Sequence, residues 1–186
     1  MRDADYFANL LSRAPTRELQ ATLVRRVPML AMTKAPSVDF LFTSGKANRF
    51  NSRGVSCVYF AEDEPTATAE YERHSMGQRQ PFVTYFADVH LQYVIDLFSS
   101  QTLSALRMTA RDLRTPWVGA RKPTPAQCLG EAMSRQDAVA AVRFPSEAAR
   151  LKGFSGANIV IFRDCVRRPD HVHILGPTKK PLQKWP

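Results

Sequence analysis

Stretches that read as strands and stretches that read as helices succeed one another in this chain without the strict β-α-β alternation that a doubly wound parallel sheet requires. That order points to an α+β fold, one domain of mostly antiparallel strands with flanking helices. With 186 residues and 44% apolar content the chain can bury a single core. No internal repeat, low-complexity block or Gly/Ser linker divides it.

The expected elements follow from periodicity and caps. Tyr6, Phe7, Leu10 and Leu11 recur at helical spacing, and residues 22–27 are β-branched enough for a strand. A long, turn-rich and basic connection follows, in which residues 38–42 alone suggest a strand; loops of that length are usually functional. Residues 57–61 form a short apolar strand, and Asp63 then stands as an N-cap before Glu64-Pro65 and a helix to His74. Residues 81–87 and 90–97 alternate as two strands about a tight turn or bulge, which suggests antiparallel pairing. Residues 99–113 look helical, and Thr124-Pro125-Ala126-Gln127 has the capping-box pattern of a helix reaching about Ser134. Strands at 138–144, 157–162 and 171–175 and a short helix at 146–151 complete the expectation. Residues 1–21 are then a helical extension, 22–175 the main domain, and 176–186 a basic tail whose prolines break regular structure.

Charge narrows the partners. There are 26 Lys and Arg against 17 Asp and Glu, a net charge of +9, which suits nucleic acid, a phosphorylated small molecule or an acidic protein. Residues 163–184 hold Arg163, Arg167, Arg168, Lys179, Lys180 and Lys184 against Asp164 and Asp170, the pattern of a solvated basic segment. A nucleic-acid-binding module is the rival reading from another class, but the chain has no RNP motif, zinc-finger spacing or basic recognition helix, so direct nucleic-acid binding is not expected. No apolar run approaches the roughly 18 residues of a membrane span, and Asp3 and Asp5 interrupt any signal-peptide pattern. Three widely spaced cysteines without C-x-x-C fit a reducing cytosol, so a cytoplasmic protein is expected. Phosphate-loop, dinucleotide-fold, zincin and serine-hydrolase motifs are absent. His171-Val172-His173 puts two imidazoles on one strand face, but no Asp/Glu/His cluster at metal spacing accompanies them, so no metal is expected.

The informative region runs over residues 49–70. Arg49 lies in the turn-rich connection, Tyr59 on the apolar strand after it, and Glu70 on the helix that packs back from that strand, so one cleft can receive all three. Taken singly, each has an ordinary explanation as a solvated arginine, a core tyrosine and a surface glutamate.

Together, Arg49-Phe50-Asn51 with Gly54, then Val58-Tyr59-Phe60-Ala61, then Thr68-Ala69-Glu70 resemble the R-[WF]-N-x-x-G, [IL]-Y-[FL]-A and A-x-x-E core of the RES domain. The likeness extends over residues 22–162: Val24-Arg25-Arg26-Val27-Pro28 is similar to the family's opening strand. Gln127-Cys128-Leu129-Gly130, Phe144-Pro145-Ser146 and Asn158-Ile159-Val160-Ile161-Phe162 resemble its Q-x-x-G, V-P-S and N-x-[LV] segments. Ala47-Asn48 departs from the family's common Gly-Gly before the loop arginine.

The resemblance implies an NAD-consuming toxin on a fold similar to bacterial ADP-ribosyltransferases, paired with an antitoxin that carries a helix-turn-helix domain. NAD would be substrate, with no prosthetic group and no membrane association. Transfer of ADP-ribose to water or phosphate is preferred; a protein ADP-ribosyltransferase is the alternative, and a fold that has lost catalysis is a further rival.

The chemistry assigns the residues. Cleaving an N-glycosidic bond builds positive charge on the ribose, which Glu70 can oppose. The diphosphate needs guanidinium forks, for which Arg49 and either Arg25 or Arg26 are candidates. Tyr59 can stack on nicotinamide or ribose, and a hydroxyl at a helix start, Thr124 or Ser146, can meet the ligand. Glu72 is set aside, because residues two apart on a helix point about 200° apart.

Overall fold

The computed structural model describes residues 2–32, 38–43, 46–75, 80–136, 139–176 and 180–186. In chain order, α1 (Ala4–Leu11) leads into β1 (Thr16–Pro28) and the short α2 (Met29–Met32), and a 3-10 turn at Val38–Leu41 precedes β2 (Cys57–Ala61) and α3 (Glu64–His74). Next come β3 (Phe82–Asp96), α4 (Ser100–Ala105), α5 (Ala110–Arg114) and α6 (Pro125–Ser134). The chain closes with β4 (Ala141–Pro145), α7 (Glu147–Leu151), β5 (Ala157–Phe162), β6 (His171–Leu175) and β7 (Pro181–Trp185).

The strand order is β1-β2-β5-β4-β3-β6-β7, and β1 also pairs with β3, so five strands close into a barrel from which β6 and β7 extend. All pairs are antiparallel except β3 with β4. Closure is possible because β3 is long: Phe86–His90 pairs with β6 and Val94–Asp96 with β4, while β1 runs along its other edge. Every residue of β5 is buried, as a strand covered on both faces must be. Arg143 on β4 ties the barrel end together, with Nε and one terminal nitrogen 2.6 and 2.8 Å from the Glu62 carboxylate and the other 3.2 Å from Asp96.

The expected α+β class, with mostly antiparallel pairing, is the one observed. Five local expectations are corrected. Phe82–Asp96 is one strand rather than two: Ala87 and Val89 are buried and Asp88 is exposed, so the two-residue alternation continues through the supposed turn or bulge, and β1 pairs alongside throughout. β1 itself starts at Thr16 rather than Thr22.

Residues 38–42 give a 3-10 turn, with only Phe42 bridged to Val58, and the Leu41 carbonyl accepts a hydrogen bond from Arg25 instead of a strand neighbour. The helix expected over 99–113 is two, because both Ser99 and Thr109 act as N-caps and Arg107 breaks the path at φ 50°. Finally, Pro181–Trp185 pairs with β6; Pro181 opens an edge strand, where no ladder N–H is missed, and Trp185 packs edge-on against Phe42 at 4.7 Å.

Candidate active site

Glu70 owes its place to two local signals. The Asp63 carboxylate accepts from Thr66 N at 2.7 Å and starts α3 directly after β2, with Pro65 in the first turn. Gly156 then lets α3 close in, since a Cβ there would overlap the Thr66 hydroxyl. These two features set Glu70 above the barrel end where β4 finishes and β5 begins. Its Oε1 accepts from Ser146 Oγ at 2.7 Å and from Asn158 Nδ2 at 2.6 Å, and the side chain stays 25% exposed. Ser146 is also the N-cap of α7, accepting from Ala149 N at 3.0 Å, so its hydroxyl proton is directed to Glu70.

Arg49 is delivered by a loop pinned at several points. The Tyr59 hydroxyl accepts from Phe50 N at 3.0 Å and donates to Asn51 Oδ1 at 2.9 Å. Gln127 Nε2 donates to the Asn48 carbonyl at 3.0 Å, and at Gly130 a Cβ would overlap the Phe50 carbonyl oxygen, so α6 and the loop backbone touch. The Phe50 ring is fully buried against Phe144. The Q-x-x-G segment thus acts as the seat of the arginine loop. From it Arg49 donates to the Leu113 carbonyl at the end of α5. Burial pushes the guanidinium below its ordinary value; the Glu70 carboxylate opposes this most, Arg73 adds to it, and Glu147 and Tyr59 oppose it.

Arg49 and Ser146 line an open cleft of about 490 Å³, together with Leu113, Arg114, Arg150 and Phe154. Arg150 forms a two-pronged pair with Glu147 at 2.6 and 2.8 Å. The cleft therefore sets Arg49 and Arg114 beside Ser146, whose hydroxyl holds the Glu70 carboxylate, while Arg150 is paired with Glu147 on its lining; the guanidinium groups can hold an anionic ligand and the carboxylate can oppose a developing positive centre.

The structure brings together Arg49, Glu70 and Ser146 and sends the other sequence candidates elsewhere. Tyr59 is spent on the loop through its hydroxyl, and its ring meets Phe144 edge-on at 6.4 Å. The Arg25 guanidinium is turned into the protein, donating to the carbonyls of Leu41 at 2.6 Å and Tyr59 at 3.1 Å, and burial lowers it to about 10. Arg26 pairs with Glu64 at 3.5 Å and covers the Phe82 ring. Thr124 is a buried cap of α6, its hydroxyl accepting from Gln127 N and its own N–H donating to the Gln127 side chain.

Asn158, Arg114 and Arg150 were not singled out as site residues by the sequence. Asn158 was visible only as part of a strand segment, and its role depends on the register that sets it opposite Ala61 and Phe144. Glu72 is exposed and paired with Lys152. Among the described residues one group could ligate a metal, Asp88 with His171 and His173, none of which lines the cleft. Among the described residues, too, no helix is long and apolar enough to cross a membrane.

The family model of the RES domain matches residues 23–181, and the chain belongs to that family. A chain of the solved M. tuberculosis MbcT–MbcA toxin–antitoxin complex shares the fold, with a TM-score of 0.64 and 16% identity over 91% of this chain and 89% of that one. No curated protein matches the sequence.

Proposed function

We propose that this chain is the toxin of a toxin–antitoxin pair and breaks the nicotinamide–ribose bond of NAD, passing ADP-ribose to water or phosphate in the cytoplasm. The observation that carries this reading is the Glu70 carboxylate, held by Asn158 and by Ser146, a residue that lines an arginine-bearing cleft together with Arg49. Nicotinamide leaves with the bonding electron pair, the ribose carbon becomes cation-like, and Glu70 opposes that charge. The acceptor oxygen then bonds to the same carbon and gives up its proton. Arg49, with Arg114, supplies planar donors for the diphosphate. Family membership and the toxin–antitoxin setting of the structural neighbour support an antitoxin partner, for which a helix-turn-helix domain is proposed from the family resemblance alone.

Transfer to a protein shares the first step and differs only in the acceptor. The placement of Glu72, exposed and paired with Lys152, favours water or phosphate, because the two glutamates of an E-x-E pair do not meet in one site here.

The test is purified protein with NAD, with and without inorganic phosphate, followed by analysis for nicotinamide, ADP-ribose and ADP-ribose-1″-phosphate. Nicotinamide release with either sugar product is expected. Release only in the presence of a protein acceptor would replace the preferred reading with its alternative, and no release under any condition would overturn both.

A further inference from the structure

The β3–β6 face carries a second constellation that the proposed NAD chemistry does not use. His171 and His173 stand two apart on β6 and so share a face, and the antiparallel register places Asp88 opposite His173 and His90 opposite His171. The residues between them, Val89 on β3 and Val172 on β6, are fully buried, so the polar set lies on the outer side. The two β6 imidazoles stack with centroids 4.5 Å apart, and His171 Nε2 lies 3.7 Å from Asp88 Oδ2. One ligand atom from each of Asp88, His171 and His173 falls within 4.8 Å of the others. The sequence could not show this, because the carboxylate comes from a strand more than eighty residues earlier.

We propose that Asp88, His171 and His173 form a zinc site that clamps the β6–β7 hairpin to the barrel strand β3. Two imidazole nitrogens and one carboxylate oxygen are ordinary zinc donors, and water would complete the four. Bond lengths of about 2.0–2.1 Å place tetrahedral donors about 3.3 Å apart, so small side-chain rotations close the present spacing. His90 is occupied beside the site, its Nε2 2.6 Å from Glu18 Oε1 and its ring edge-on to His171 at 5.7 Å. The hairpin is held by strand pairing, by Val172 and Ile174 in the core and by the Trp185–Phe42 contact, and a metal bridge across β3 and β6 would add directly to that hold.

Untagged full-length protein, stripped with a chelator and desalted, is titrated with Zn²⁺ by calorimetry and melted with and without zinc. One equivalent should bind and raise the melting temperature, and substitution with Co²⁺ should give visible bands of a four- or five-coordinate site. His171→Gln with His173→Gln should abolish all three effects, and Asp88→Asn should weaken binding by about tenfold or more, at least the loss caused by removing a partner beyond the metal's own ligands. Nicotinamide release should be unchanged in these variants, which separates this proposal from the NAD reading. Absence of binding by the wild type would overturn the site, as would the same stoichiometry in the double variant. Should the double variant fail to fold, unchanged affinity in Asp88→Asn together with an unchanged cobalt spectrum would overturn it equally.

Discussion

Arg49 both donates to the Leu113 carbonyl and lines the cleft beside Ser146, so its guanidinium couples α5 to the ligand space. Lysine carries the same charge as a single compact point and cannot reproduce a forked contact to phosphate oxygens while holding a carbonyl. Arg49→Lys is therefore expected to lower kcat/KM for NAD by about tenfold or more, the equivalent of one charged hydrogen bond. The melting temperature should change little, since the residue is only partly buried. Melting curves and a nicotinamide-release assay on the purified variant check both halves; equal activity would remove Arg49 from the site. At this scale Arg49, Glu70 and Ser146 were legible as residue types suited to phosphate and oxocarbenium chemistry. Asn158 was not singled out, because an asparagine inside a fully buried strand shows its purpose only when β5 sets it under Glu70.

The loop over residues 46–54 is the element on which the site depends, and its fastening explains why several candidates lie outside the cleft. Tyr59 was expected to stack on the ligand, whereas the structure gives its hydroxyl to Phe50 N and Asn51. Tyr59→Phe separates these roles, because phenylalanine keeps the ring and deletes only the hydroxyl. The buried Phe50 N–H and the Asn51 side-chain oxygen Oδ1 then lose a partner, at a cost of about 1–3 kcal/mol. The expected outcome is a lower melting temperature together with reduced turnover as Arg49 loses its seat. Turnover and stability both equal to wild type would mean that the ring alone matters. Thr124 and Gln127 were read from their capping-box spacing, and that local signal is what the structure contains. The use of the Gln127 amide on Asn48, and the contact of Gly130 with Phe50, join segments about eighty residues apart and so leave no local pattern to read.

Across the whole molecule, what the sequence made legible was short in range. The Asp63 and Thr124 caps and the apolar run of β5 each act within a few residues and appear where expected. Closure of the barrel by β1 against β3, the parallel β3–β4 pair and the β7 edge strand depend on partners distant in sequence. The turn or bulge that local spacing suggests at Ala87–Val89 gives way to a continuous strand, because β1 offers pairing along its whole length. That closed frame brings the ends of β2 and β4 and the start of β5 to one place, where α3 delivers Glu70 and the chain after β4 delivers Ser146. The measurement that tests this account most directly is nicotinamide release from NAD by Glu70→Gln beside the wild type. Glutamine retains an oxygen that can accept from Ser146 and Asn158, so the fold should be kept while the charge opposed to the ribose cation is lost. The account predicts a native melting curve with turnover reduced about a hundredfold or more. Near-normal turnover in a well-folded Glu70→Gln protein would contradict it.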